Sequence, residues 1–236
     1  MTNFRTLFGT EPAAIQKTCV VTPFLAPGIL RGFGIQSLKK GKLYSTVNTG
    51  TFTLVKTGIS TLLVGDAILY LEQTACQEII YFGACGLSQK TEQLTVGSLV
   101  CPRECLSFES FTDVLFSYTD RITTMFPDQG LFHSFLENSP TQDIQPVRGM
   151  SMGSLKCEDF YRNFFIERGI EVIDTECSAF FSAAHYIQRK AIALLYITDV
   201  IGKNHFLESL KLQDKSHINN AIQTACKVID TFCRQE

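Results

Sequence analysis

Apolar and polar positions recur along this chain with two periods, and the switches between them mark out elements. "TCVVTPFL" (Thr18–Leu25) is a continuous apolar run that predicts a buried strand, ended at Pro27-Gly28. "KLYSTVNTGTFTLVKTG" (Lys42–Gly58) holds two β-rich runs around a Thr-Gly turn and predicts a hairpin. "STLLVGDAILYLEQT" (Ser60–Thr74) puts apolar residues at helical spacing behind a Ser cap. "EIIYFGACG" (Glu78–Gly86) predicts a short buried strand running into glycines, and "VGSLVCP" (Val96–Pro102) another, stopped by Pro102. From Glu104 to Pro146 the pattern loosens into aromatics, prolines and polar turns. That stretch predicts loops and one short helix over Gln129–Glu137.

Regular patterning returns with "QPVRGMSMG" (Gln145–Gly153), a strand leading into a loop, and "KCEDFYRNFFIERG" (Lys156–Gly169), a helix closed by glycine. "EVID" (Glu171–Asp174) reads as a short strand. "ECSAFFSAAHYIQRK" (Glu176–Lys190) reads as a helix with small residues at close-packing positions. "AIALLYITD" (Ala191–Asp199) is apolar throughout, as a central strand covered on both faces must be. "SHINNAIQTACKVIDTFCRQE" (Ser216–Glu236) is an amphipathic helix with a Ser cap. Strands alternating with helices argue for an α/β fold, a three-layer sandwich around a central mixed β-sheet, in one domain over 1–236. Ligands bind such folds beyond the carboxyl ends of the strands. Gly83–Gly86, Thr175–Glu176 and Asp199 all fall at such ends, so two carboxylates stand where one crevice would form.

Composition narrows the function classes. The chain has 236 residues, 45% of them apolar and 19% charged, with a net charge of -2. Acids and bases are mixed along it, so nucleic-acid and anionic-lipid partners are not expected. The N-terminus lacks an apolar core of signal-peptide length. The most apolar stretch, Phe52–Leu71, contains Lys56, Gly58, Gly65 and Asp66 and predicts no membrane helix. Nine cysteines, several inside apolar runs (Cys19, Cys85, Cys177, Cys226), suggest buried reduced thiols and a cytoplasmic location. Cys101 and Cys105 are four apart, but no second pair completes a zinc set. His133, His185, His205 and His217 have no ligand spacing, so no metal is expected, and no cysteine has a visible His partner.

Three stretches, "FGACGL" (Phe82–Leu87), "VIDTECSAFFSAA" (Val172–Ala184) and "LLYITDV" (Leu194–Val200), resemble in order and spacing the signatures of the purine nucleoside phosphorylase / uridine phosphorylase superfamily. That superfamily includes the methylthioadenosine and S-adenosylhomocysteine nucleosidases. "LVKTGIS" (Leu54–Ser60) is similar to its earlier glycine turn, and "EDFYRN" (Glu158–Asn163) to the aromatic element that packs on the base. The resemblance implies a nucleoside-phosphorylase-like fold and cleavage of the N-glycosidic bond of a nucleoside, with a purine favoured. It implies a homo-oligomer, a dimer or higher, and no cofactor, with phosphate as an alternative co-substrate.

Residue by residue, Asp199 matches the acid that protonates or hydrogen-bonds the leaving base, a task that calls for a raised pKa. Its other reading is a capping Asp after a strand. Glu176 matches the carboxylate that accepts the vicinal ribose hydroxyls. Its other reading is a first-turn acid stabilised by the helix dipole. Thr175 stands where the family has Met, and Thr198 where it often has Ser. Phe160 matches the aromatic against the base, or else packs in the core. Cys85 and Gly86 would face the base.

Two departures bear on the reaction. Phosphorylases of this family grip phosphate with an Arg and a Ser where this chain has Tyr81 and Ala84, and neither replaces a bidentate cation or a hydroxyl. "PGILRG" supplies Gly28 and Arg31 as an alternative anion site, one residue short of the family spacing. The nucleosidases lack the phosphate Arg too, yet carry a water-activating Glu near the first strand, and "TPFLAPGIL" (Thr22–Leu30) has no acid. Glu176 or Asp66 would then have to serve the water. Three readings stay open: a nucleosidase, a nucleoside-binding or regulatory homologue, and a phosphorylase using Arg31 and Lys56.

Overall fold

In the computed structural model, residues 4–89, 91–141, 143–203 and 211–235 are described. Their strands are β1 (Thr18–Thr22), β2 (Lys39–Lys40), β3 (Ser45–Asn48), β4 (Thr53–Lys56), β5 (Glu78–Leu87), β6 (Leu99–Phe108), β7 (Thr123–Met125), β8 (Ile144–Met152), β9 (Val172–Asp174) and β10 (Lys190–Val200). The helices are α1 (Phe4–Phe8), α2 (Pro27–Gly32), α3 (Thr61–Tyr70), α4 (Phe111–Phe116), α5 (Gln129–Glu137), α6 (Arg162–Glu167), α7 (Cys177–Tyr186) and α8 (Leu212–Gln235).

All ten strands join one mixed sheet in the order β10-β6-β8-β9-β5-β1-β4-β3-β2, with β7 beside β6. Strand β10 also pairs with β5, so β5, β10, β6, β8 and β9 close into a ring. Closure removes the edge that β5 or β10 would otherwise expose. It also turns the parallel carboxyl ends of β5 and β10 toward the end of β9.

Side chains on β5 and β10 alternate between two apolar layers, as the period of two demands. Ile79, Tyr81, Ala193 and Leu195 pack with Val64, Ile68, Phe180 and Phe181 of α3 and α7. Ile80, Phe82, Leu194 and Tyr196 pack with Ile29, Phe135, Ile222 and Ile229 of α2, α5 and α8. A third cluster, with Phe108, Met152, Phe165 and Ile173, lies under α6. Burial on both faces explains why β10 reads as one continuous apolar run.

Several boundaries moved for physical reasons. Pro102 does not end β6, because the pairing with β8 slips between Pro102 and Glu104. A bulge is where a strand tolerates a residue without an N–H. The helix expected over Lys156–Gly169 is a 3₁₀ segment, Leu155–Tyr161, followed by α6, with Gly169 at φ +63°. Ser216 lies inside α8 rather than capping it. Asp128 caps α5 by accepting the Leu131 N–H at 2.8 Å, and Ser60 caps α3 by accepting the Leu62 N–H at 3.2 Å. His205 and Glu236 lie outside the described residues.

All nine cysteines are buried thiols. Among the described residues, no helix is long and apolar enough to cross a membrane, and no group of His, Cys, Asp and Glu could hold a metal ion.

Candidate active site

Asp199 owes its position to a fault in β10. Ile197 pairs with Cys85 and Asp199 pairs with Gly86, which leaves Thr198 as an extra residue between them. Such a bulge re-aims the side chains beside it. The Thr198 hydroxyl lies 2.7 Å from Asp199 Oδ1 and 3.2 Å from the Cys85 carbonyl oxygen. Gly86 lies opposite the carboxyl, where a Cβ would come to ordinary contact distance, 3.5 Å, from Asp199 Oδ2.

Glu176 is set by the turn from β9 into α7. Asp174 Oδ2 accepts the backbone N–H groups of Glu176 at 3.0 Å and Cys177 at 2.7 Å. Its Oδ1 accepts the Ser151 hydroxyl at 2.6 Å. Asp174 thus does the capping, and the Glu176 side chain makes no cap bond. Instead Glu176 Oε2 accepts the Tyr81 hydroxyl at 3.0 Å. Glu176 Oε1 is buried without a hydrogen-bond partner among the described residues. A buried orphan acceptor is costly unless a ligand satisfies it.

These elements line a pocket of about 80 Å³ that opens to solvent. Among the residues expected to act together, it brings Ala84, Cys85, Gly86, Thr175, Glu176, Thr198 and Asp199 onto one wall system. Others lie elsewhere. Phe160 is 78% exposed and does not line the pocket, because the 3₁₀ segment turns it outward. Leu155 and Glu158 line the pocket from the same segment. Gly28 packs against α8, where its carbonyl accepts Gln223 Nε2 at 2.8 Å, and Arg31 on the same helix is exposed. Neither lines the pocket, nor do Lys56 and the exposed Asp66.

Two carboxyls escaped the sequence reading. Glu158 and Asp174 line the pocket with Glu176 and Asp199, and all four are buried. Asp174 had a legible signal, an N-cap type of residue just before a helix. Glu158 had none, because its place in an apparent helix looked solvated.

Burial dominates the electrostatics. It pushes Glu158 up to about 8, helped by Asp199, Asp159 and Asp174. It raises Asp174 to about 7 with help from Glu176, against the Ser151 hydroxyl and the two backbone N–H groups. It raises Glu176 as well, opposed by hydrogen bonds from Thr175 and Tyr81 and aided by Glu109. Carboxyls whose proton affinity is raised by burial in one cleft mark a candidate site for acid–base chemistry.

The chain belongs to the phosphorylase superfamily, whose family model matches residues 22–234. Uridine phosphorylase from Vibrio fischeri ES114 superposes with a TM-score of 0.74 at 18% identity, covering 94% of this chain and 93% of that one. The 5′-methylthioadenosine/S-adenosylhomocysteine nucleosidase of Campylobacter jejuni gives 0.72 at 11% identity, covering 93% and 99%. Futalosine hydrolase of Helicobacter pylori strain 26695 gives 0.67 at 12% identity, covering 94% and 99%. By sequence, no curated protein matches the chain. At these identities the solved structures share the fold, while the family model carries the membership.

Proposed function

We propose that this chain is an enzyme that cleaves the N-glycosidic bond of a purine nucleoside, by hydrolysis rather than phosphorolysis. Membership of the phosphorylase superfamily supports nucleoside chemistry. One observation carries the choice of nucleophile: Glu158, Asp174, Glu176 and Asp199 line a single pocket to which no described Lys, Arg or His contributes. At ~5 Å and an effective dielectric of ~20, each like-charge pair costs about 3 kcal/mol. Phosphate bound beside ionised Glu176 would meet such a term with no described cation in the pocket to compensate it, whereas neutral water meets none.

In this reading the nucleoside lies between the two strand-end carboxyls. Glu176 Oε1 accepts the ribose hydroxyls, and its charge favours the positive sugar that develops as the bond from C1′ to the base nitrogen breaks. Asp199 delivers a proton to the imidazole nitrogen of the leaving purine, with Thr198 orienting the carboxyl. Water bonds to C1′ and releases its proton, and the carboxyl of Asp199 is reprotonated before the next turnover.

The loop after β1 favours a second reading. It contributes Pro23 and Phe24 to the pocket, where a hydrolase would gain from an acid. A nucleoside-binding homologue without turnover needs no such acid. Base release separates the readings. Incubation with adenosine, inosine, guanosine and methylthioadenosine, with and without phosphate, should free base in both buffers and fail in Asp199→Asn. Saturable thermal stabilisation without base release would favour the binding homologue. Release only with phosphate would overturn hydrolysis.

A further inference from the structure

The Tyr81–Glu176 contact joins a residue that reads as a lost phosphate grip to the carboxylate assigned to the sugar. Tyr81 is fully buried on β5, so its hydroxyl is no surface ornament. Residues 81 and 83 share one face of the strand. Gly83 lets the phenol ring lean along that face: a Cβ at 83 would lie 2.7 Å from Tyr81 Cε1 and 3.1 Å from its hydroxyl oxygen. Phe180 of α7 packs against the ring at 5.3 Å between centroids. Held on these two sides, the phenol ends 3.0 Å from Glu176 Oε2. The other carboxylate oxygen, Oε1, is buried with no hydrogen-bond partner among the described residues.

We propose that Tyr81 is a positioning residue for the sugar, a phenol clamp that holds Oε2 of Glu176 so that Oε1 meets the vicinal hydroxyls of the substrate. The clamp thereby sets a preference for ribonucleosides over 2′-deoxyribonucleosides. A carboxylate free to rotate about its terminal torsion would accept one hydroxyl nearly as well as two. A pinned one discriminates, because a missing hydroxyl leaves a buried acceptor unsatisfied. The clamp also helps Glu176 to stay ionised, since a donated hydrogen bond favours the charged form. Burial and Glu109, beyond β6, act against it, while Thr175 acts on Glu176 in the same direction as the clamp; Asp174 on β9, Glu158 and Asp199 line the same pocket.

The sugar half of this proposal rests on the nucleosidase reading, whereas the clamp itself does not. Two measurements therefore test it. The first compares kcat/KM for adenosine and inosine with their 2′-deoxy analogues, in wild type, Tyr81→Phe and Gly83→Ala. The ribo-to-deoxy ratio should shrink about 10-fold or more in both variants, the scale of a hydrogen bond to a charged group. A Tyr81→Phe protein that slows on ribo- and deoxyribonucleosides by the same factor overturns the proposal. Should no nucleoside turn over, the same ratio is read from calorimetric affinities, and the failure belongs to the nucleosidase reading. The second follows Glu176 by carbon-13 NMR of labelled glutamate carboxyls across pH, without ligand. The titration should move upward in Tyr81→Phe, and an unmoved titration overturns the clamp whatever the kinetics show.

Discussion

Asp174 Oδ2 accepts the Cys177 N–H at 2.7 Å, so the first turn of α7 is capped from the strand before it. This leaves Glu176, which lies between them, free to face the pocket. Replacing Asp174 by Ala should lower stability by about 1–2 kcal/mol, the usual worth of a side-chain cap. Urea unfolding measures it. Asp174→Asn should retain most of that stability, and an equal loss in both variants would mean that charge rather than capping matters there.

Glu158 links stability to pH. An ordinary glutamate titrates near ~4.3. Burial and three nearby acids hold Glu158 at about 8. Between those values the folded state binds more protons than the unfolded state, so stability falls as pH rises through this window. Each such group contributes a slope of up to about 1.4 kcal/mol per pH unit. Asp174, raised to about 7, adds to it over the lower part. Urea midpoints at pH 5, 6.5 and 8 should therefore decline in wild type and decline less in Glu158→Gln. Parallel curves would remove Glu158 from the account.

Thr198 orients Asp199 through a 2.7 Å hydrogen bond. Thr198→Val keeps the shape of the bulge and deletes the hydroxyl. Base release by this variant should drop about 10-fold, while Thr198→Ser should retain most of the activity. Equal activity in all three proteins would show that packing alone positions the acid.

Arg31 is exposed on α2 and lines no part of the pocket. Arg31→Ala should leave base release unchanged, with or without phosphate. A phosphate stimulation present in wild type and lost in this variant would restore the anion site that the sequence suggested.

Local patterning made much of the architecture legible. The continuous apolar run of β10, the Ser-capped helix α3 and the hairpin of β3 and β4 follow from period, caps and turn residues. It also located the strand-end residues Gly86, Glu176 and Asp199, because polar groups at the ends of buried strands stand out against their neighbours. What it did not contain is how distant segments meet. Ring closure by β10, the slip that carries β6 past Pro102, and the outward turn of Phe160 depend on partners far along the chain. So do the carboxyls of Glu158 and Asp174, whose pKa values are set by burial and by charges that only folding assembles. The sequence by itself determined which groups stand at the junctions. Tertiary structure decided which of them share one desolvated pocket, because desolvation and proximity are properties of the assembled chain.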